Sequence, residues 1–326
     1  MRDPLRHHGD AELQDGLLDL AVNVYDGPRP PWLDAALRSS LDAIGAYPSA
    51  TAAEAALAGR HGREPAEVLA TAGAAEAFSL VARLRAWQRP VVVHPQFTEP
   101  HAALEQAGHD VTTVVSWDLT GVPEDADLVV VGNPTNPTGL LHPAAAIRAL
   151  VRPGRVVLVD EAFMDTVPGE TASVAGDAGF LVTRSLTKHW GIPGVRAGYL
   201  LGPADLVAEL RRGQVPWSVS TTAAAAMIAC CTPEALVEAE HRALEIAGWR
   251  AHLETGLREL DIEHVPSATS FVLARPGAGV HDRLRAAGVA VRRADTFPGL
   301  DETWIRVAVR SEATTTRFLE ILQRCL

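Results

Sequence analysis

The sequence predicts an α/β fold in two units: a large domain with a mostly parallel central sheet flanked by helices, and a smaller α/β domain. Three observations predict it. From about residue 66 to 202, short β-branched runs alternate with longer alanine- and leucine-rich stretches, the pattern of successive strand and helix units. These runs are near-continuously apolar instead of alternating, as strands covered on both faces must be. The 326 residues also fit two domains of about 150 residues each.

In chain order, strands are expected at 91–94, 111–115, 128–131, 156–159, 180–183 and 197–201, all as members of parallel units. Helices are expected at 74–85, 99–106 and 143–150, the last with proline at an early helical position, where its missing N–H costs nothing. Beyond Pro203 the pattern over 206–260 is mostly helical, broken near 215–219 and at Thr232-Pro233, with a long helix over 234–260. From Ile262 onward shorter strands at 270–273, 290–292 and 304–309 alternate with helix. The division that follows is an amino-terminal arm at 1–30, a large domain at 31–232 and a small carboxyl-terminal domain at 233–326.

Apolar residues make up 47% of the chain and charged residues 21%, an ordinary globular balance. The net charge of −11 disfavours nucleic acid and anionic lipid as partners. Cys230, Cys231 and Cys325 have neither metal-ligand nor redox spacing, and the histidines form no ligand pattern, so no metal is expected. The first twenty residues lack a signal peptide's apolar block and no run is long enough to span a membrane, so a reducing cytoplasm is the expected setting.

Every basic residue but one is an arginine, and the exception is Lys188. Guanidinium keeps its proton at working pH, whereas a primary amine can lose it and form an imine with an aldehyde. The surroundings sharpen that hypothesis. Ser185, Thr187 and Arg196 bracket the lysine with the paired and directional donors that suit a phosphate dianion. Upstream, the apolar strand at 156–159 ends in Asp160, a carboxylate able to keep a pyridine nitrogen protonated. The turn Asn133-Pro134-Thr135-Asn136-Pro137-Thr138-Gly139 follows another apolar strand and holds two of the chain's three asparagines. A phosphate-bearing aldehyde beside a lysine is pyridoxal phosphate.

With these residues the sequence resembles the fold-type I pyridoxal-phosphate enzymes of the aminotransferase superfamily, in the threonine-phosphate decarboxylase and histidinol-phosphate aminotransferase branch. The blocks Asn136-Pro137-Thr138-Gly139, Asp160-Glu161-Ala162-Phe163 and Ser185-Leu186-Thr187-Lys188, then Arg196, stand in the family's order. The resemblance implies that Lys188 forms the Schiff base, Asp160 pairs with the ring nitrogen and Asn136 bonds the ring oxygen. It implies that Ser185, Thr187, Arg196 and the amides of Gly73, Ala74 and Ala75 take the cofactor phosphate at a helix start. Phe97 would stack on the ring. Tyr47 would reach the phosphate in a partner subunit, making a homodimer. For the substrate it implies Arg306 for the α-carboxylate and Arg292 for a phosphate, with His8 and Asn23 beside it.

Phe163 departs from the tyrosine of many aminotransferases. It looks like the decarboxylase version, as do His8-Gly9-Asp10 and Phe297-Pro298-Gly299-Leu300. The leading expectation is decarboxylation of O-phospho-L-threonine to aminopropanol phosphate in cobalamin biosynthesis. The alternatives are a histidinol-phosphate-type aminotransferase and a non-catalytic module on the same fold. No role is assigned to His189.

Overall fold

The computed structural model describes residues 4–326. The first three residues of the arm expected over 1–30 lie outside the described residues. In chain order, β1 (Leu18–Leu20) belongs to the smaller of two sheets. The larger holds β2 (Val68–Thr71), β3 (Pro90–His94), β4 (Thr112–Val115), β5 (Leu128–Gly132), β6 (Val156–Asp160), β7 (Leu181–Ser185) and β8 (Gly198–Leu201). Then β9 (Glu263–His264), β10 (Phe271–Arg275), β11 (Val289–Arg293) and β12 (Ile305–Ala308) complete the smaller.

The large sheet runs in the order β2-β8-β7-β6-β5-β3-β4. From β7 to β4 all neighbours pair parallel, while β8 runs against both of its neighbours. The expectation that 197–201 continues the parallel series is therefore corrected. Between β7 and β8 the chain makes only the short helix Leu186–His189 and a turn at Pro193–Val195, with no helix long enough to carry it back across the sheet. It re-enters from the same edge. β2 also escaped the sequence reading, because Val68-Leu69-Ala70-Thr71 holds one apolar β-branched residue and leads straight into an alanine-rich stretch.

Every large-sheet strand is buried along its length except the edge strand β4. The two-residue period of the strands distributes the same apolar runs to both faces. Val129, Val131, Val157 and Val159 enter one core, and Leu128, Val130, Val156 and Leu158 enter the other. Strand continuity in the sequence thus becomes a sheet packed on both sides.

The small sheet runs β1-β11-β12-β10-β9, with β1 parallel to β11 and the remaining pairs antiparallel. Its core is closed by helices Pro233–Glu259 and Glu312–Cys325, which bury Ile246, Leu253, Leu257, Phe318 and Leu322 against Val272, Val289 and Val307. The long helix begins where the sequence breaks: Thr232 caps it by accepting from the Ala235 N–H, and Pro233 takes its first position. No single described helix is long and apolar enough to cross a membrane.

Candidate active site

A cavity of about 540 Å³ opens at the carboxyl ends of β5, β6 and β7, with residues of the small sheet on its far side. Strand register builds its floor. Gly132 stands opposite Asp160, and Asp160 opposite Thr183. The Thr183 hydroxyl and the Ala162 N–H each donate to Asp160 Oδ1 at 3.1 Å. Oδ2 is left with no hydrogen bond among the described residues. Burial pushes the Asp160 carboxyl up to about 6. Lys188 stands on the turn of helix that follows β7. Burial, and then the Arg306 and Arg196 guanidiniums, pull its ammonium down to about 8. The chain's sole lysine is therefore part-deprotonated near neutrality.

At one end of the cavity the helix Ala74–Ala82 starts from Gly73, whose φ of +81° favours glycine. Space is a second reason for glycine here. A Cβ on Gly73 would lie 2.3 Å from the Arg196 guanidinium, and one on Gly198 would lie 2.7 Å from the Gly73 backbone. The loop, β8 and Arg196 thus pack with no side chain between them. Ser185 and Thr187 share a hydroxyl hydrogen bond of 2.8 Å beside the same helix start. Backbone amides, two hydroxyls and a guanidinium at a helix N-terminus form a receptor for a phosphate.

The other end is set by two arginines facing each other across the β11–β12 register, Arg292 and Arg306. Arg306 donates to Asn136 Oδ1 at 2.7 Å and to the Ala21 carbonyl at 2.6 Å. With its amide oxygen turned inward, Asn23 accepts from Arg306 Nε and NH1 at 3.1 Å each. Arg292 donates to the His7 carbonyl and to Thr296 Oγ1 at 2.6 Å each, and to the Arg293 carbonyl. Neither guanidinium pairs with a carboxylate among the described residues, although they are only 1% and 5% exposed. Burial pulls Arg292 down to about 10 and Arg306 well below the usual guanidinium range. Two buried cations without counter-charges are suited to anions brought by a ligand.

Phe97 lines the wall, tilted against His8 with ring centres 5.7 Å apart. His8 Nε2 meets Glu99 Oε1 at 2.7 Å, and the other Glu99 oxygen accepts from Arg6 at 3.1 Å. Phe163 meets Phe271 edge-on at 5.0 Å.

Ala74, Ala75, Asn136, Asp160, Ser185 and Lys188 line this one cavity, and so do the other residues singled out from the sequence apart from Gly73 and Tyr47. Gly73 backs Arg196 instead. Tyr47 is 78% exposed and stacks on Trp217 at 4.4 Å, outside its own chain's cavity. Of the two loop asparagines, Asn133 is scaffolding: it bonds the backbone of His142 and Ala172. Sequence reading missed Thr183 and Glu99. Thr183 could have been found, since it lies two residues before Ser185 and so shares its face of β7.

The model of the family described as aminotransferase class I and II matches residues 15–322. The chain belongs to that family. It is 44% identical to a histidinol-phosphate aminotransferase of Mycobacterium tuberculosis, over 94% of this chain and 87% of the relative. It is 33% identical to the threonine-phosphate decarboxylase of Salmonella typhimurium, over 96% of this chain and 92% of the relative. A solved histidinol-phosphate aminotransferase of Sinorhizobium meliloti in complex with pyridoxal-5'-phosphate superposes with a TM-score of 0.82 at 22% identity, covering 93% of this chain and 89% of that one. This family member is a pyridoxal-phosphate enzyme of fold type I. The donor set fits the cofactor: one amine, one buried acid and a glycine-cleared phosphate receptor surround a single cavity.

Proposed function

We propose that the protein decarboxylates a phosphorylated α-amino acid, O-phospho-L-threonine, to aminopropanol phosphate for the corrinoid side chain of cobalamin, in the cytoplasm. One observation carries the reading. Arg292 and Arg306 stand side by side, buried and with no carboxylate at ion-pair distance among the described residues. A substrate with both a carboxylate and a phosphate supplies two anions at once, each in reach of a bidentate donor. Phe163 supports the same reading, for it offers the cofactor ring no hydroxyl and packs on Phe271 instead.

Bound pyridoxal phosphate supplies an aldehyde for the amine and a ring that takes up an electron pair. In this reading Lys188 and Asp160 hold it, with Asn136 at the ring oxygen and Phe97 on its face. Ser185, Thr187, Arg196 and the amides of Ala74 and Ala75 take its phosphate, whereas the Gly73 N–H donates to the Thr71 carbonyl at 2.8 Å. Arg306 grips the substrate carboxylate, and its placement selects which bond to Cα is held for cleavage. Arg292 takes the substrate phosphate, flanked by His8 and Asn23. Lys188, standing at the cavity, donates the proton that takes the place of the departing carboxyl on Cα.

The active unit in this reading is a homodimer in which Tyr47 reaches the phosphate in the partner subunit. Supporting it, Tyr47 and Trp217 stack in the open, and Leu41, Ile44 and Val215 nearby in sequence are exposed as well.

A second reading, transamination of histidinol phosphate, is favoured by the name of the 44%-identical relative. Two incubations separate them. Carbon dioxide release from phosphothreonine without glutamate formation is expected. Glutamate formation from histidinol phosphate and 2-oxoglutarate, with no carbon dioxide from phosphothreonine, would overturn the decarboxylase.

A further inference from the structure

The strands that carry the cofactor site also carry a second set of charges, which the chemistry above does not use. In β7 the side chains alternate, so Ser185 lines the cavity and Thr183 supports Asp160 from the same face while Arg184 points to the other. Arg184 is 0% exposed. It donates from NH1 to Glu161 at 2.9 Å and to Glu170 at 2.8 Å, and from NH2 to Asp165 at 2.7 Å. Arg60 closes the set on Asp165 at 2.5 Å and Glu170 at 2.9 Å. Glu161 also accepts from Ser173 Oγ and the Val174 N–H, at 2.7 Å each.

Buried ion clusters rarely add net stability, because desolvation offsets the attraction and a packed apolar set of the same volume does as well. What such a cluster can do is fix geometry. Here each arm lies one peptide unit from a cavity residue: Glu161 follows Asp160, and Arg184 precedes Ser185 on the strand leading into the Lys188 turn. Asp165 and Glu170 extend the grip over the loop that carries Phe163. On the cavity face the side-chain tie that adds to the backbone ladder between these two strands is the Thr183–Asp160 hydrogen bond of 3.1 Å.

We propose that Arg184 is a positioning residue for the cofactor site: by gripping Glu161, Asp165 and Glu170 from behind the sheet, it sets the placement of Asp160 against the Ser185–Lys188 turn. It touches neither substrate nor cofactor. Its removal therefore acts on cofactor affinity and on the environment of the bound ring, ahead of any effect on turnover.

The test uses Arg184→Lys, which keeps a charge but loses the fork, and Glu161→Gln, which keeps the size of the group while removing one ion pair. Arg155→Lys is the control: Arg155 bonds four backbone carbonyls at the opposite end of β6, so its loss costs stability far from the cavity. Far-ultraviolet circular dichroism and thermal melts establish folding, and titration of the cofactor-free proteins with pyridoxal phosphate gives Kd and the visible band. Folded Arg184→Lys and Glu161→Gln are expected to bind about tenfold or more weakly with a displaced band, while Arg155→Lys lowers only the melting temperature. Wild-type Kd and band in both cluster variants, whatever their melts, would overturn the proposal. If Arg184→Lys yields no folded protein, Glu161→Gln decides alone.

Discussion

At the residue scale, the lysine and the aspartate have opposite displacements with one cause. Burial disfavours charge on each, raising Asp160 from 3.8 to about 6 and lowering Lys188 from 10.5 to about 8. A raised carboxyl stabilises the fold below its unfolded value and loses that contribution as pH climbs through 6. A lowered amine stabilises above its unfolded value and loses that contribution as pH falls through 8. Between pH 6 and 8 the cofactor-free protein therefore bears both costs, roughly 3 kcal/mol for Asp160 by linkage. Asp160→Asn without cofactor is expected to melt a few degrees higher than wild type at pH 7 and no higher at pH 3.5, by calorimetry. Lys188→Ala is expected to lose the borohydride-fixable yellow band and to fall in kcat by about 10³-fold or more. Lys188 was legible because no other lysine competes with it. Thr183 went unread, although its two-residue spacing from Ser185 puts it on the same face of β7.

At the element scale, the glycines decide how close the phosphate receptor can be. Gly73→Ala demands a side chain at φ +81° and places its Cβ against Arg196. It is expected to raise the Kd for pyridoxal phosphate at least about tenfold by absorbance titration, and to lower the melting temperature by roughly a few degrees through the strained backbone. Gly198→Ala drives a Cβ into the Gly73 backbone inside the sheet, so both affinity and melting temperature are expected to fall. The long helix and the parallel strands from β3 to β7 were readable from apolar runs, proline and caps, all local signals. The direction of β8 was not, because an apolar run reads the same whichever way the strand points.

At the scale of the whole molecule, the amino-terminal strand β1 joins a sheet built from residues beyond 262, and the carbonyl of Ala21 just after it holds Arg306. The segment around β1 and the strand β12 thus meet at the cavity. In the proposed dimer, Tyr47→Phe removes a phosphate donor without removing the ring, so cofactor affinity is expected to drop a few-fold while the assembly stays intact. Trp217→Asp charges the exposed apolar patch and is expected to shift the species toward monomer in sedimentation velocity. A monomeric wild-type protein with full activity would defeat the dimer.

The sequence by itself determined most of the central strands, the cofactor class and half of the residues that line the cavity, because apolar period, a sole lysine and the order of motifs are local properties that survive in one dimension. Tertiary structure alone decided the reversal of β8, the pairing of Arg292 with Arg306 and the charge cluster behind Asp160. Each of these depends on which strands lie side by side, and residues 60, 161 and 184 become neighbours only when the sheet has closed.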